Sequence, residues 1–235
     1  MYQVEYAIAA IQNAAACVGV QTKEGIVVCV ERKVTSKLLA PTKSSDKVFK
    51  VDAHVFAAVA GLTADANILV NYARLCAQRY RYTYQEPQPV EALVQLLCDY
   101  KHSYTQYGGL RPFGVSFLYA GWDEHHGFQL YQSDPSGNYS GWKATAIGGN
   151  STSAIASLKS DYSEDLSLAD ATKMALKVLT KAMDTTAPTA DKVEVVVLSR
   201  SKLGNAECVQ RVLSNQEVTA YLKEIAAQTN TTGDV

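Results

Sequence analysis

The 235-residue chain is 47% hydrophobic and 19% charged, with a formal net charge of −1 at pH 7. This is the composition of a globular protein with one well-filled core, and it excludes a strong pull on nucleic acid or acidic membranes as the main activity. No apolar run approaches the roughly 20 residues of a membrane helix, and MYQVEYA has neither the basic region nor the long apolar run of a signal peptide.

In chain order, Val4, Ala7, Ile8 and Ile11 fall on one helical stripe, which predicts a short helix over residues 3–14. Nothing earlier in the sequence covers that stripe, so it must pack on the domain or on a neighbour. Residues 15–31, AACVGVQTKEGIVVCVE, predict a hairpin. Ala16 to Thr22 alternates, Lys23-Glu24-Gly25 breaks the run, and Gly25 suits the positive φ of a tight turn. Ile26 to Val30 is apolar without alternation, as in a strand covered on both faces at the centre of a layered domain. Arg32 to Leu39 reads as a third strand or edge piece and Ala40 to Asp46 as a polar loop. Two short strands follow at Lys47–Val51 and His54–Ala60.

Gly61 closes that strand, and Thr63 is placed to cap a helix running to about Tyr82. Its expected inner face is Ile68, Leu69, Tyr72, Leu75 and Cys76. After the break at Glu86-Pro-Gln-Pro89, the positions Val90, Leu93, Val94, Leu97, Tyr100 and Tyr104 define a second helix. A meander is predicted next: strands over 113–121, 127–133 and 139–147, with Asp134-Pro-Ser-Gly137 as a type I turn. Two helices follow, 149–162 and one opened by Ser167-Leu-Ala-Asp170, then strands at 193–199 and 207–213. Ser214-Asn-Gln-Glu217 is a capping box for a last helix. Residues 229–235 read as a polar, disordered tail. No internal repeat or linker appears, so residues 1–228 read as one domain.

Strands in blocks and helices in pairs argue for an α+β domain rather than a parallel βαβ sheet. Two antiparallel sheets packed face to face, each covered outside by helices, would bury every stripe named above.

Few residues suggest chemistry on their own. There is no Gly-rich phosphate loop, no HExxH and no GxSxG, and no cofactor is implied. His125-His126 cannot easily share a metal, because adjacent strand residues face opposite ways. RYRYTY at 79–84 reads as a solvated helix end or a subunit contact rather than an RNA platform. The five cysteines are odd in number, widely spaced and lack a CxxC pair, which predicts reduced, buried thiols of the cytosol or nucleus. The Asn138, Asn150 and Asn230 glycosylation patterns would then be inert.

Four blocks in order, YQVEYA, GLTADANILV, YTQYGGLRPFGVSFLYAG and LYQSDPSGNYSGWKATAIG, resemble a 20S proteasome α-type subunit, and the likeness covers essentially the whole chain. Residues 121–148 are most similar to the α type 4 branch of the family. The resemblance implies a four-layer αββα sandwich, the N-terminal-nucleophile hydrolase fold. Catalytic relatives in that fold carry an N-terminal Thr, an acidic residue on the second strand and a Lys further on. Glu31 in CVERK matches the acidic position and Lys47 in DKVFKV the Lys. The two intervals are both of sixteen residues, so the nucleophile position falls on Ala15.

Ala15 has no nucleophilic atom, and fourteen residues precede it, so its nitrogen is an amide. Ala15 and Glu31 are therefore vestigial positions, and the chain is expected not to be an enzyme. For Lys47 the resemblance implies a place in a pocket between subunits, where its ammonium receives the C-terminal carboxylate of a regulatory ATPase or activator, with Gly61 and Leu62 on the same wall. It further implies a seven-membered ring of α subunits stacked on β subunits, unfolded polypeptide passing through the pore, and a place in cytoplasm and nucleus. A gate segment upstream of YQVEYA is also implied; with Met1 directly before Tyr2, either a truncation or a gateless chain is expected. The remaining alternatives are an N-terminal-nucleophile hydrolase with a cleavable propeptide and a stand-alone binding module of the same fold.

Overall fold

A computed structural model describes residues 1–33, 38, 47–183, 189–201 and 207–231. It has helices α1 (Tyr2–Ile11), α2 (Thr63–Tyr84), α3 (Val90–Gln106), α4 (Ser151–Asp161), α5 (Leu168–Ala182) and α6 (Asn215–Thr231). The strands are β1 (Cys17–Gln21), β2 (Gly25–Glu31), β3 (Val48–Asp52), β4 (Val55–Gly61), β5 (Val115–Asp123), β6 (Gly127–Ser133), β7 (Tyr139–Gly141), β8 (Ala144–Ile147), β9 (Val193–Arg200) and β10 (Cys208–Val212). They form two five-stranded sheets, in the orders β10-β9-β2-β1-β8 and β3-β4-β5-β6-β7. All pairings are antiparallel.

Three apolar layers hold the sandwich together. Ile26, Val28 and Val30 of β2 meet Phe56, Leu118 and Leu130 between the sheets. The alternate residues Val27 and Cys29 face outward under α4 and α5. Every residue of β2 is buried, which is why its sequence does not alternate. On the other side α2 and α3 cover the second sheet through Leu69, Ala73, Leu93 and Leu97. The expected αββα sandwich of two antiparallel sheets is therefore the observed one.

The local devices depart from expectation in several places. Gly25 does not have a positive φ. The turn is held instead by the Thr22 hydroxyl, which accepts from the amides of Glu24 and Gly25 at 3.3 and 3.2 Å. Glycine is required at 25 because a Cβ would strike the Leu198 carbonyl on β9. Thr63 is the first helical residue of α2, not its cap; Leu62 occupies the cap position and supplies no side-chain bond. The inner face of α2 is also rotated from the expected one. Small residues Ala66, Ala73 and Ala77 lie against the sheet, where they allow close approach, while Ile68 and Leu75 are 54% and 45% exposed. In α1 only Ile11 is fully buried, and Tyr2, Tyr6 and Ile8 are exposed.

The predicted strand over 139–147 is two strands in different sheets. The Trp142 amide donates to the Leu130 carbonyl of β6 at 2.8 Å, whereas the Lys143 carbonyl accepts from the Gln21 amide of β1 at 2.8 Å. A period of two reports extended backbone but not which neighbour pairs with it. The turn at Asp134–Gly137 and the capping box at Ser214–Glu217 form as expected. Arg32 and Lys33 follow β2 without strand structure, and most of the predicted strand to Leu39 and all of the 40–46 loop lie outside the described residues.

One buried charge was not anticipated. Lys101, on α3, has no exposed surface. Its Nζ donates to Ser133 Oγ at 2.7 Å and to the Asp134 carbonyl at 2.8 Å, and lies 5.7 Å from the centre of the Phe117 ring. Ser133 Oγ in turn donates to the Tyr119 hydroxyl at 3.1 Å.

Candidate functional site

The site is built at the end of the central hairpin. After α1 the chain turns through Asn13 and Ala14, and the Ala14 carbonyl accepts the Gly149 amide at 2.9 Å. Ala15 is buried directly before β1. Its carbonyl is crossed by Gly148, whose φ of +86° and lack of a Cβ permit the close approach. Glu31 ends β2, paired across to Ala16: the Glu31 amide donates to the Ala16 carbonyl at 2.9 Å. The Glu31 carboxylate accepts the Ala16 amide at 3.1 Å. The acidic group is thus occupied in holding the first turn of chain into β1.

Lys47 is placed by β3. Its carbonyl accepts the Val59 amide of β4 at 2.9 Å, and the Val59 carbonyl accepts the Cys17 thiol at 3.5 Å. Ala15, Glu31 and Lys47 therefore lie around Cys17. Cys17 supplies no substitute nucleophile. Burial pushes its thiol up to about 12; the Lys47 charge opposes this and Glu31 and Glu194 add to it. A thiol held neutral in that way is inert, because the thiolate is the reactive form. The Thr22 hydroxyl is committed to its own turn. No group at residue 15 can attack a carbonyl.

Gly61 and Leu62 lie two and three residues beyond Val59, at the same end of the sheet as Lys47. Gly61 has φ +130°, and any side chain there would strike the Gly114 carbonyl. The Leu62 amide donates to that carbonyl at 3.0 Å, leaving the Leu62 side chain 54% exposed. Two further residues, missed in the sequence, fix this corner. Asp65, in the first turn of α2, accepts Arg111 Nη1 and Nη2 at 2.7 and 2.9 Å and the Gly114 amide at 3.0 Å. The Arg111 guanidinium holds the Asp65 carboxyl below the usual carboxylate range, against the opposing effect of burial. The signal was available: an acid in the first turn of the helix after GLT, and an Arg before PFG.

Comparison with known proteins places this geometry. The sequence model of the family described as "Proteasome subunit" matches residues 11–198. The chain belongs to the proteasome subunit family. It is 56% identical over 226 residues to "Proteasome subunit alpha type-4" of Dictyostelium discoideum, covering 95% of this chain and 89% of that protein. The subunit of the same name from Petunia hybrida is 54% identical over 230 residues, with 97% and 92% covered. "Proteasome subunit alpha type-4-A" of Arabidopsis thaliana is 59% identical over 204 residues, with 86% and 82% covered. Ala15, at the end of the hairpin, carries neither a hydroxyl nor a free amine.

Proposed function

We propose that the chain is a non-catalytic α subunit of the 20S proteasome core, acting as one domain whose last helix, α6, runs on to Thr231, past the expected boundary at 228. The observation that carries this is Ala15: the acid and the Lys of a nucleophile framework surround a residue with neither a hydroxyl nor a free amine. Its place is in a seven-membered α ring, against other α subunits and the β subunits of the inner ring, in cytoplasm and nucleus. That ring controls the entry of unfolded polypeptide and docks regulators. The half-exposed stripe of α1 and the outward Ile68, Leu75, Tyr82 and Tyr84 of α2 support burial against neighbouring subunits. Among the described residues no helix is long and apolar enough to cross a membrane.

Lys47, Gly61 and Leu62 form this subunit's part of the pocket for a regulator's C-terminal tail. A cation beside a backbone corner and an exposed Leu suits a terminal carboxylate followed by an apolar side chain. Assembled particles carrying Lys47→Ala test this. Loss of one charge-assisted contact should weaken the tail's docking by about 10- to 100-fold, with ring assembly intact by native mass spectrometry. Unchanged regulator-stimulated peptide hydrolysis would remove the pocket role from this subunit, and a chain found in cells only as a monomer would remove the ring role.

A further inference from the structure

The turn between β3 and β4 carries a histidine caught between two acceptors. The side chains of His54 and of Asp52, two residues before it, are 7% and 9% exposed. The ring Nε2 lies 2.7 Å from the carbonyl of Gln88, in the link between α2 and α3. A carbonyl can only accept, so Nε2 carries the hydrogen of the neutral ring. Nδ1 then holds a bare lone pair and faces Asp52 Oδ2, another acceptor, at 3.6 Å. Among the described residues nothing donates to Nδ1. The opposite tautomer is no better, because it sets a bare Nε2 against the carbonyl. Each neutral form leaves a buried acceptor facing an acceptor, which is unfavourable. Only the doubly protonated ring has a donor for both. The 3.6 Å gap is too long for a hydrogen bond, yet a charge-assisted contact would close it to about 2.8 Å.

The groups around the ring bear on that proton from every side. Burial alone pushes the Asp52 carboxyl up, but the Ala53 amide, Arg81 and His54 hold it below its ordinary 3.8, so it is ionised. From α2, Arg81 Nη2 meets the same Oδ2 at 3.0 Å and opposes the proton, though 41% of its side chain is in water, which screens it. The α2–α3 link contributes Glu86, the β5–β6 turn Glu124 and His125, and the residue before β10 is Glu207; all four are exposed. Asp123 is buried and its carboxylate is filled by the amides of Val90, His125 and His126 and by the Gln129 side chain. The Cys208 thiol is neutral, pushed up by burial. Acids outnumber cations at this corner, while burial of the ring works against its charge. The Asp52 carboxylate, the nearest of these groups, decides the balance. We infer that His54 is a proton-operated latch: uptake of one proton at Nδ1 closes the gap to Asp52 and draws the β3–β4 turn onto the α2–α3 link. The neutral ring holds the link through Nε2 alone, and the charged ring holds both sides. The folded chain gains with the proton a bond that the unfolded chain lacks. Its contribution is therefore present on the acid side of the histidine range and is lost as pH rises through it. The latch lies at the end of β3 away from Lys47 and does not rest on the role of that residue.

Imidazole ¹⁵N spectra of the full-length chain test this between about pH 5 and 8.5, with His54→Gln identifying the His54 signals. At the alkaline end the ring should be neutral with its hydrogen on Nε2. At the acid end both nitrogens should carry one, and the Nδ1 hydrogen should exchange slowly because the site is closed to water. Hydrogen exchange at the Trp122 amide, which donates to the His54 carbonyl at 3.1 Å, reads the mechanical result. Corrected for the intrinsic rate, its protection should be roughly three- to ten-fold higher at about pH 5.5 than at about pH 7.5. Asp52→Asn keeps an acceptor for the Ala53 amide and presents an amide donor to Nδ1, while Arg81 is released to water. The neutral ring is then satisfied without the proton, and protection at Trp122 should vary by less than about two-fold over the same interval. A ring whose charge does not change across the range, a hydrogen found on Nδ1 with Nε2 bare, or the same pH dependence at Trp122 in the parent and Asp52→Asn chains overturns the inference.

Discussion

Replacing Lys101 by Met should change how the protein's stability depends on pH. Burial pushes the Lys101 ammonium down from 10.5 to about 8, while Cys98 and Asp134 act weakly in the opposite sense. That drop corresponds to about 3 kcal/mol by which folding disfavours the proton at pH 7. Between the two values the unfolded chain binds more protons than the folded one, so stability rises with pH from about 8 to about 10.5. In Lys101→Met the term is absent. The difference between parent and variant should therefore move in the parent's favour by about 1 kcal/mol from pH 7 to 9, and by about 2 kcal/mol by pH 10. Tyr100, Tyr119 and Tyr131 are all raised, by hydrogen bonding or burial, and oppose stability near pH 10. They are common to both chains and cancel in the difference. At pH 7 the variant escapes the buried charge but gives up the two bonds from Nζ, leaving the Asp134 carbonyl with the Gly137 amide alone; that loss costs about 1–3 kcal/mol, so the two should lie within about 2 kcal/mol. Urea unfolding of both chains at pH 7, 8, 9 and 10 reads the difference directly. A difference flat across that range would refute the reasoning, because the proton on Lys101 would then not be one that folding disfavours.

Asp65→Asn should cost about 2 kcal/mol at pH 7, since it breaks a paired, charge-assisted contact with Arg111 and weakens the bond from the Gly114 amide. The folded Asp65 carboxyl lies below its ordinary 3.8. Its contribution is present above that value and is lost as pH falls through the lower, folded one, so the gap between the chains should narrow in urea midpoints taken on descent to pH 3. Gly148→Ala should cost about 3 kcal/mol or more, from the strained positive φ and the collision with the Ala15 carbonyl; thermal unfolding measures it, and a loss below about 1 kcal/mol would mean that the turn relaxes freely.

Much of this fold could be read in the sequence because its layers impose different periods. β2 reads as an unbroken apolar run because both its faces are covered, and α3 reads cleanly because its stripe is wide and its outer face polar. The hairpin was legible through its pattern, and Glu31 and Lys47 only through the resemblance to the family. What escaped is what depends on partners distant in sequence. The inner face of α2 follows from how closely the helix approaches the sheet, which favours alanines over the larger Ile68 and Leu75. Thr63 carries a good capping side chain, but Leu62 is pinned to Gly114 and the helix starts one residue earlier. Lys101 falls on the stripe of α3, four residues after Leu97, yet a lysine there looks like an edge residue until Ser133 and Asp134 are brought to it. The meeting of Asp52 with His54 and Arg81 is visible only once every neighbour is in place.

Trp142 and Lys143 give the sandwich a spine. Adjacent residues bond to opposite sheets, one to Leu130 and the next to Gln21. At another edge the Gln210 side chain donates across to the carbonyls of Asp52 and Ala53, at 2.8 and 3.0 Å. The two sheets thus cannot slide past one another as separate plates; relative movement of the layers must turn about the covalent seam and first release the Gln210 clasp. Force delivered by a neighbour on one face is passed to the other as rotation rather than shear.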